Sequence, residues 1–171
     1  MGMGGMDLDE KQNKMMKVVL MRHGKAADAM DFDNDFERPL THRGKAEVRA
    51  AAEKLLESGF RPDVIMSSPA NRTAGTARII ADVFGIDENA IVYFAPLYMG
   101  SESDYLDAMN SRHEQTIFIA GHNPTTGTLA GHFGKLRHTG FPTSSFVVLA
   151  FAEKPIRMSS AATLQFNGIR Q

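Results

Sequence analysis

The stretch Lys17-Val18-Val19-Leu20-Met21-Arg22-His23-Gly24 is an apolar run that ends abruptly at an arginine, a histidine and a glycine. Consecutive β-branched and long apolar side chains predict a buried strand of an α/β sheet, and Gly24 allows a sharp turn at the carboxyl end of that strand. Open α/β sheets bind their ligands at the carboxyl ends of their strands. The end of this strand is therefore a candidate functional site, with His23 as a candidate nucleophile.

Segments with strand and helix patterns alternate along the rest of the chain. Further strands are predicted at residues 64–66, 91–94, 116–120, 146–151 and 163–166. Helices are predicted from the N-cap Thr41 to residue 58, from the turn at 67–73 to residue 84, from the cap Ser103 to residue 109, and over 125–131. This alternation predicts a three-layer α/β/α sandwich with a mostly parallel central sheet.

Length and composition exclude several classes of protein. The 171 residues are 43% hydrophobic and 23% charged, which fits one globular domain at 17–171 preceded by a disordered leader at 1–16. The formal net charge of -1 provides no global attraction for nucleic acid or an anionic membrane, so we expect neither as a partner. The absence of cysteine excludes thiolate metal sites and cysteine-dependent phosphatases, and it favours a cytoplasmic location.

Two later strands also end in polar residues. Arg72 follows the second predicted strand, and His122-Asn123 follows the fourth. Arg72 falls in the first turn of its helix, where a cation opposes the helix dipole unless an anion is bound there. A phosphate or sulfate-like anion between two arginines and two histidines would resolve this conflict, because guanidinium groups bind its oxygens in a bidentate manner.

An acidic stretch at residues 28–37 resembles a calcium-binding loop only superficially. Asp31, Asp33 and Asp35 have the right spacing, but Phe36 replaces the required glycine and His42 replaces the glutamate at the twelfth position. The stretch is interpreted as a solvated surface loop. The alternative that one of its carboxylates leans over the site stays open.

The sequence resembles the histidine phosphatase superfamily, and within it the SixA-type phosphohistidine phosphatases of phosphoglycerate mutase-like fold. The strand-ending Leu20-Met21-Arg22-His23-Gly24 matches the family signature. Four further stretches support the resemblance, at residues 38–44, 67–73, 121–124 and 141–143. The resemblance extends in the same order from Lys17 to about Phe151.

The resemblance implies a role for each matching residue. His23 would attack phosphorus to give a covalent phosphohistidine, with its other ring nitrogen donating to a backbone carbonyl near Gly24. The phosphoryl oxygens would be held by Arg22, Arg72 and His122, without a metal or cofactor. Asn123 would orient His122, and Ser68 or Ser145 could add a hydroxyl. Taken singly, each residue also has an ordinary structural explanation, as a salt bridge or helix charge for the arginines and as a core or loop position for the histidines.

The residue after the second histidine limits which classes of substrate are expected. It is Asn123 here, whereas the acid phosphatase and phytase branch has an acid at this position, so that branch looks excluded. An imidazole leaving from phosphohistidine needs less acid catalysis than an alkoxide does. Whether Glu102, Asp104 or an acid within 28–37 serves as general acid stays open.

The expected substrate is therefore a phosphohistidine-bearing protein, also because the segments between His23 and Arg72 and between Arg72 and His122 are too short for a lid domain that would enclose a small molecule. The alternatives are a small-molecule phosphomonoesterase and a catalytically weak phosphoprotein-binding module. A basic loop with Lys135, Arg137 and His138 could steer an acidic partner or simply be solvated. The remaining histidines are expected to be structural or solvent-exposed: His42, His113, His132 and, within that loop, His138.

Overall fold

The computed structural model describes residue 7 and residues 15–137 and 140–171. The strands are β1 (Met16–Arg22), β2 (Val64–Ser67), β3 (Val92–Tyr93), β4 (Thr116–Gly121), β5 (Phe146–Phe151) and β6 (Thr163–Asn167). The helices are α1 (His42–Glu57), α2 (Asn71–Phe84), α3 (Glu102–Asn110) and α4 (Thr125–Gly134). None of the helices in these ranges is long and apolar enough to cross a membrane.

Several element boundaries differ from those predicted, and three of the differences have a local explanation. β1 begins at Met16, whose side chain is buried, so the last residue of the predicted leader belongs to the sheet. The rest of that leader, apart from Met15 and the exposed Asp7, lies outside the described residues. α3 is capped by Ser101 instead of Ser103, because Ser101 and Asp104 form a reciprocal capping box. α4 continues past Gly131 and ends at Lys135, which adopts a left-handed conformation.

The six strands form one sheet in the order β3-β2-β4-β1-β5-β6. The first four in this order are mutually parallel, whereas β5 runs antiparallel to both β1 and β6. The predicted mostly parallel sheet is therefore confirmed, with an antiparallel extension at one edge.

Alternate residues of β1 enter two separate cores, one on each face of the sheet. Val18 and Leu20 pack with apolar residues of α3 and α4, while Val19 and Met21 pack with those of α1 and α2. Helices thus cover both faces, and the predicted three-layer α/β/α arrangement is confirmed. Because both faces are covered, β1 is apolar without alternation, as buried parallel strands usually are.

The topology brings the polar strand ends together. β2, β4 and β1 are neighbours, so the chain segments that follow them meet at one edge of the sheet. Gly24 lets the end of β1 pack directly on α1, because a Cβ atom there would lie 2.6 Å from Val48 Cγ2. Its φ angle is not in the left-handed region, so close packing, and not an unusual turn, explains the glycine.

Candidate active site

A cavity of about 270 Å³ lies at the edge where these strands end. Its lining contains five of the predicted site residues, which are Arg22, His23, Arg72, His122 and Asn123. Three further residues also line it: Arg38, Tyr98 and Met99. The ring centroids of His23 and His122 are 5.3 Å apart. Three arginines and two histidines around a small cavity form a site suited to an anion with several oxygens.

His23 is oriented by the backbone on both sides. Its amide donates to the Gly121 carbonyl of the neighbouring strand at 3.0 Å, and its ring Nδ1 lies 2.7 Å from the Gly24 carbonyl oxygen. A carbonyl oxygen only accepts hydrogen bonds, so Nδ1 must carry the proton and Nε2 keeps its lone pair in the neutral ring. This is the backbone hydrogen bond that the family resemblance implied for His23.

The surroundings of His23 keep the ring neutral. Burial, with a smaller contribution from the nearby cations of Arg72 and Arg22, lowers the pKa of His23 to about 4, although the hydrogen bond to Gly24 acts in the opposite direction. At neutral pH the ring is therefore unprotonated at Nε2. A buried histidine with a free lone pair beside cationic groups has the properties of a nucleophile toward an anionic phosphorus centre.

Arg22 presents an unused donor. Its Nη1 donates to the Phe141 carbonyl at 3.1 Å, whereas its Nε is buried and has no hydrogen-bond partner within the described residues. Burial lowers the pKa of the guanidinium, and the charge of Arg72 contributes to the same effect. Arginine nevertheless stays protonated in proteins, so Arg22 places a positive charge at the cavity.

Arg72 is held by the acidic loop. It lies in the first turn of α2, whose N-cap Ala70 provides no side-chain cap. Its Nη1 donates to the Asp35 backbone carbonyl at 2.8 Å, and its Nη2 donates to the Asp35 carboxylate at 2.9 Å. The sequence predicts that a cation at this position needs an anion beside it. The Asp35 carboxylate supplies part of that negative charge from within the protein.

Asp35 therefore corrects the interpretation of residues 28–37 as merely a solvated loop. Its carboxylate also accepts hydrogen bonds from Arg38 at 2.9 Å and from the Tyr98 hydroxyl at 2.8 Å. These donors, Arg38 first among them, hold the pKa of Asp35 well below its usual range. Asp35 is ionised at neutral pH and cannot act as a general acid. Instead it joins three side chains that line the cavity.

His122 is oriented by two hydroxyl groups. Its amide donates to Tyr105 Oη at 2.9 Å, and its ring Nε2 lies 2.9 Å from Ser68 Oγ. Burial lowers the pKa of His122 to about 3, and the neighbouring His23 and Arg72 act in the same direction. Ser68 thus acts through His122 and does not line the cavity itself. The ring nitrogen that remains for a ligand is Nδ1.

Asn123 does not orient His122, contrary to the expectation. Its Nδ2 donates to the Phe141 carbonyl at 2.9 Å, and its Oδ1 accepts from Thr126 Oγ1 and Gly127 N at the start of α4. The free N–H groups of a helix N-terminus compete for the side-chain oxygen of an asparagine at this position. Asn123 still lines the cavity, where it fixes the same carbonyl that holds Arg22.

Several other candidates lie away from the cavity. Ser145 Oγ accepts a hydrogen bond from the Arg170 amide, so Ser145 stabilises the chain near β6 and is not a site hydroxyl. The Asp104 carboxylate caps α3, and neither Asp104 nor Glu102 lines the cavity. The histidines His42, His113 and His132 are also absent from its lining, while His138 lies outside the described residues.

The sequence motifs predict no role at the site for three of the lining residues, Arg38, Tyr98 and Met99. Arg38 belongs to one of the stretches that carry the family resemblance, so the sequence contained an indication that it lies at the site. Tyr98 and Met99 follow a short 3-10 turn after β3 and belong to no motif. The Tyr98 ring nevertheless packs edge-on against His122, with centroids 5.6 Å apart.

A larger cavity of about 770 Å³ lies at the opposite end of the sheet. It is bordered by the Arg112–Glu114 ion pair and contains none of the strand-end residues. We place the chemistry in the smaller cavity, because oriented histidines and arginines converge there. Within 15–137 and 140–171, no group of three or more histidine, aspartate or glutamate side chains is arranged to hold a metal ion.

Comparison with known proteins gives the same family. Residues 18–92 match the model of the histidine phosphatase superfamily (branch 1). The phosphohistidine phosphatase SixA of Escherichia coli is 31% identical over 117 residues, which are 67% of this chain and 71% of the relative.

Solved structures agree with this assignment. A SixA protein from Agrobacterium tumefaciens superposes with a TM-score of 0.74 at 34% identity, covering 89% of this chain and 96% of the other. A protein histidine phosphatase SixA complexed with tungstate has a TM-score of 0.72 at 25% identity, with the same coverage of both chains. These matches confirm the predicted fold and the classification as a phosphatase-type hydrolase. The chain belongs to the histidine phosphatase superfamily.

Proposed function

We propose that this protein is a phosphatase that forms a phosphohistidine at His23, and that its substrate is a phosphohistidine on another protein. The observation that carries the proposal is the orientation of His23. Its Nδ1 is bound to the Gly24 carbonyl, so Nε2 remains as a neutral nucleophile in a cavity that also contains Arg22, Arg72 and His122. No other described cavity combines these groups.

The reaction proceeds in two displacements at phosphorus. His23 Nε2 forms a bond to phosphorus as the bond to the leaving nitrogen breaks, and the leaving imidazole keeps the electron pair and takes a proton from solvent. Water then attacks the phosphorylated His23 and loses a proton, which releases inorganic phosphate and the neutral histidine. The charge on the transferring oxygens is stabilised by the oriented donors of Arg22, Arg72 and His122.

The absence of an available acid in the described lining supports a nitrogen leaving group. Asp35 is ionised and bound by cations, and Asp104 is used as a helix cap. An alkoxide leaving group requires a positioned proton donor, whereas imidazole leaves readily without one. The SixA relatives, one named a phosphohistidine phosphatase and the other a protein histidine phosphatase, support the same substrate class.

The test compares hydrolysis of a phosphohistidine-bearing protein with hydrolysis of a panel of phosphomonoesters. We expect faster turnover of the phosphoprotein, with activity abolished in His23→Ala and retained in the matched control His132→Ala. His132 is exposed and contacts the Met158 carbonyl, away from the cavity. Faster release from monoesters would overturn the substrate assignment, and phosphate binding without turnover would indicate a binding module instead.

A further inference from the structure

Met99 is an apolar side chain placed in solvent at the mouth of the cavity. It lines the cavity beside Tyr98, yet it is 85% exposed. Only one large hydrophobic residue in the described ranges, Met30, is more exposed, and Met30 does not line the cavity. Scattered exposed apolar residues are common, so the exposure of Met99 becomes informative only together with its backbone.

The backbone of Met99 is strained. Its φ is 55°, in the left-handed region that residues other than glycine and asparagine seldom adopt. The residues on either side of Met99 are held by contacts of their own. A Cβ at Gly100 would lie 2.2 Å from the Pro96 carbonyl, Thr125 Oγ1 binds the Gly100 carbonyl, and the hydroxyl of Tyr98 is bound to Asp35. The segment is therefore fixed on both sides of Met99.

The other strained residues have a reason within the fold. Two more non-glycine residues with positive φ occur in 15–137 and 140–171, Lys135 and Ser144. Lys135 ends α4, where a left-handed residue is common. The Ser144 amide donates to the carbonyls of both Arg22 and His23 and so shapes the site. The side chain of Met99 is mostly in solvent and offers the fold no comparable stabilisation, and strain of this kind is concentrated at ligand-binding positions.

We propose that Met99 is a specificity-determining contact for the carrier of the phosphoryl group: the ring of the phosphorylated side chain and the apolar protein surface beside it. This inference rests on the proposed function. Methionine suits the role because its unbranched, polarizable side chain adapts to different surfaces and packs well against aromatic rings. A carrier whose phosphoryl group reaches His23 passes the mouth of the cavity and covers Met99. A phosphoryl group without such a carrier does not reach this side chain.

The test measures two substrates side by side, a phosphohistidine-bearing protein and the phosphoramidate ion, which has the same P–N bond but no ring and no protein. For Met99→Ala we expect kcat/KM toward the phosphoprotein to fall about tenfold, mainly through KM, with less than a twofold change toward phosphoramidate. Met99→Gly relieves the backbone strain and should show the same loss, which assigns the effect to the side chain. Met158→Ala, on the loop between β5 and β6, is the matched control and should behave as wild type.

Equal activity of wild type and Met99→Ala on the phosphoprotein would overturn the inference. An equal loss on both substrates would also overturn it, because Met99 would then shape the catalytic centre itself. Failure of the proposed function looks different, since wild type would then hydrolyse the phosphoprotein no faster than monoesters. That result would remove the inference together with the proposal on which it rests.

Discussion

Asp35→Asn is the most informative substitution outside the histidines, because Asp35 has two opposite effects on the cavity. Its carboxylate holds Arg38, Arg72 and Tyr98 in place, and its negative charge also lies close to the site where we place the phosphoryl group. Asparagine keeps the shape of the side chain. It removes the charge, and its amide nitrogen cannot accept a hydrogen bond from either arginine or from the tyrosine.

The two effects have different magnitudes and different readouts. A hydrogen bond to a charged group contributes about 1.5–3 kcal/mol, and the half-exposed position of Asp35 favours the lower value, so loosening Arg72 should lower kcat about tenfold. Two unit charges about 6 Å apart repel each other by about 0.7 kcal/mol in water and about 3 kcal/mol at an effective dielectric constant of 20. Removing the charge of Asp35 should therefore tighten inhibition by phosphate by about threefold to 10²-fold, and the half-exposed position of Asp35 favours the lower end.

The assay is steady-state hydrolysis of a phosphohistidine-bearing protein with inorganic phosphate as product inhibitor. Asp33→Asn, a substitution at an exposed position of the same loop, is the matched control and should leave both parameters unchanged. Urea unfolding of both variants checks that the fold is intact. A rise in kcat in Asp35→Asn would refute the reasoning, because the Asp35 carboxylate would then slow turnover instead of supporting it. Weaker inhibition by phosphate would refute the electrostatic part.

Two further predictions concern Arg72 and the two histidines of the cavity, His23 and His122. Arg72→Ala should lower kcat by roughly 10²–10³, the usual loss for one oriented oxyanion donor, with a cooperative urea transition that shows the fold to be intact; a change in KM alone would contradict a role in the transition state. The second concerns pH: the pKa values of His23 and His122 in the folded protein, about 4 and about 3, lie below the unfolded value near 6.5, so the unfolded chain takes up protons first as the pH falls. The contribution of the two histidines to the free energy of unfolding should be retained above pH 6.5 and should be lost as the pH falls from 6.5 to about 4 for His23 and to about 3 for His122, by about 1–2 kcal/mol for His23 between pH 7 and 5. Urea unfolding at both pH values should show a smaller decline in His23→Gln, and an equal decline would contradict the assignment.

The strand ends could be predicted because they follow from the chain itself. An apolar run that stops at a polar pair marks the end of a buried strand, and parallel strands end at the same edge of a sheet. The sequence therefore predicts, without any knowledge of side-chain rotamers, that four residues meet in one cavity: Arg22, His23, Arg72 and His122. Their catalytic roles stay predictions until they are tested.

The loop contributions could not be predicted, because loop side chains are positioned by contacts between distant segments. Asp35 and Tyr98 are 63 residues apart and meet only because the loop after β1 and the turn after β3 lie at the same edge of the sheet. Asn123 differs from the prediction because its position just before α4 lets its side-chain oxygen bind the N-terminus of that helix. The choice between Ser101 and Ser103 was available in the sequence, since only Ser101 has an acidic residue three positions later, Asp104.

The central claim is that phosphate passes through His23, and the most direct measurement is the site of covalent phosphorylation during turnover. The protein is mixed with a phosphohistidine-bearing substrate, quenched in alkali, where phosphohistidine survives, and digested for mass spectrometry. We predict phosphate on the peptide containing His23 and no signal in His23→Ala. Full turnover without phosphorylated His23, or phosphate on a different residue, would contradict the account.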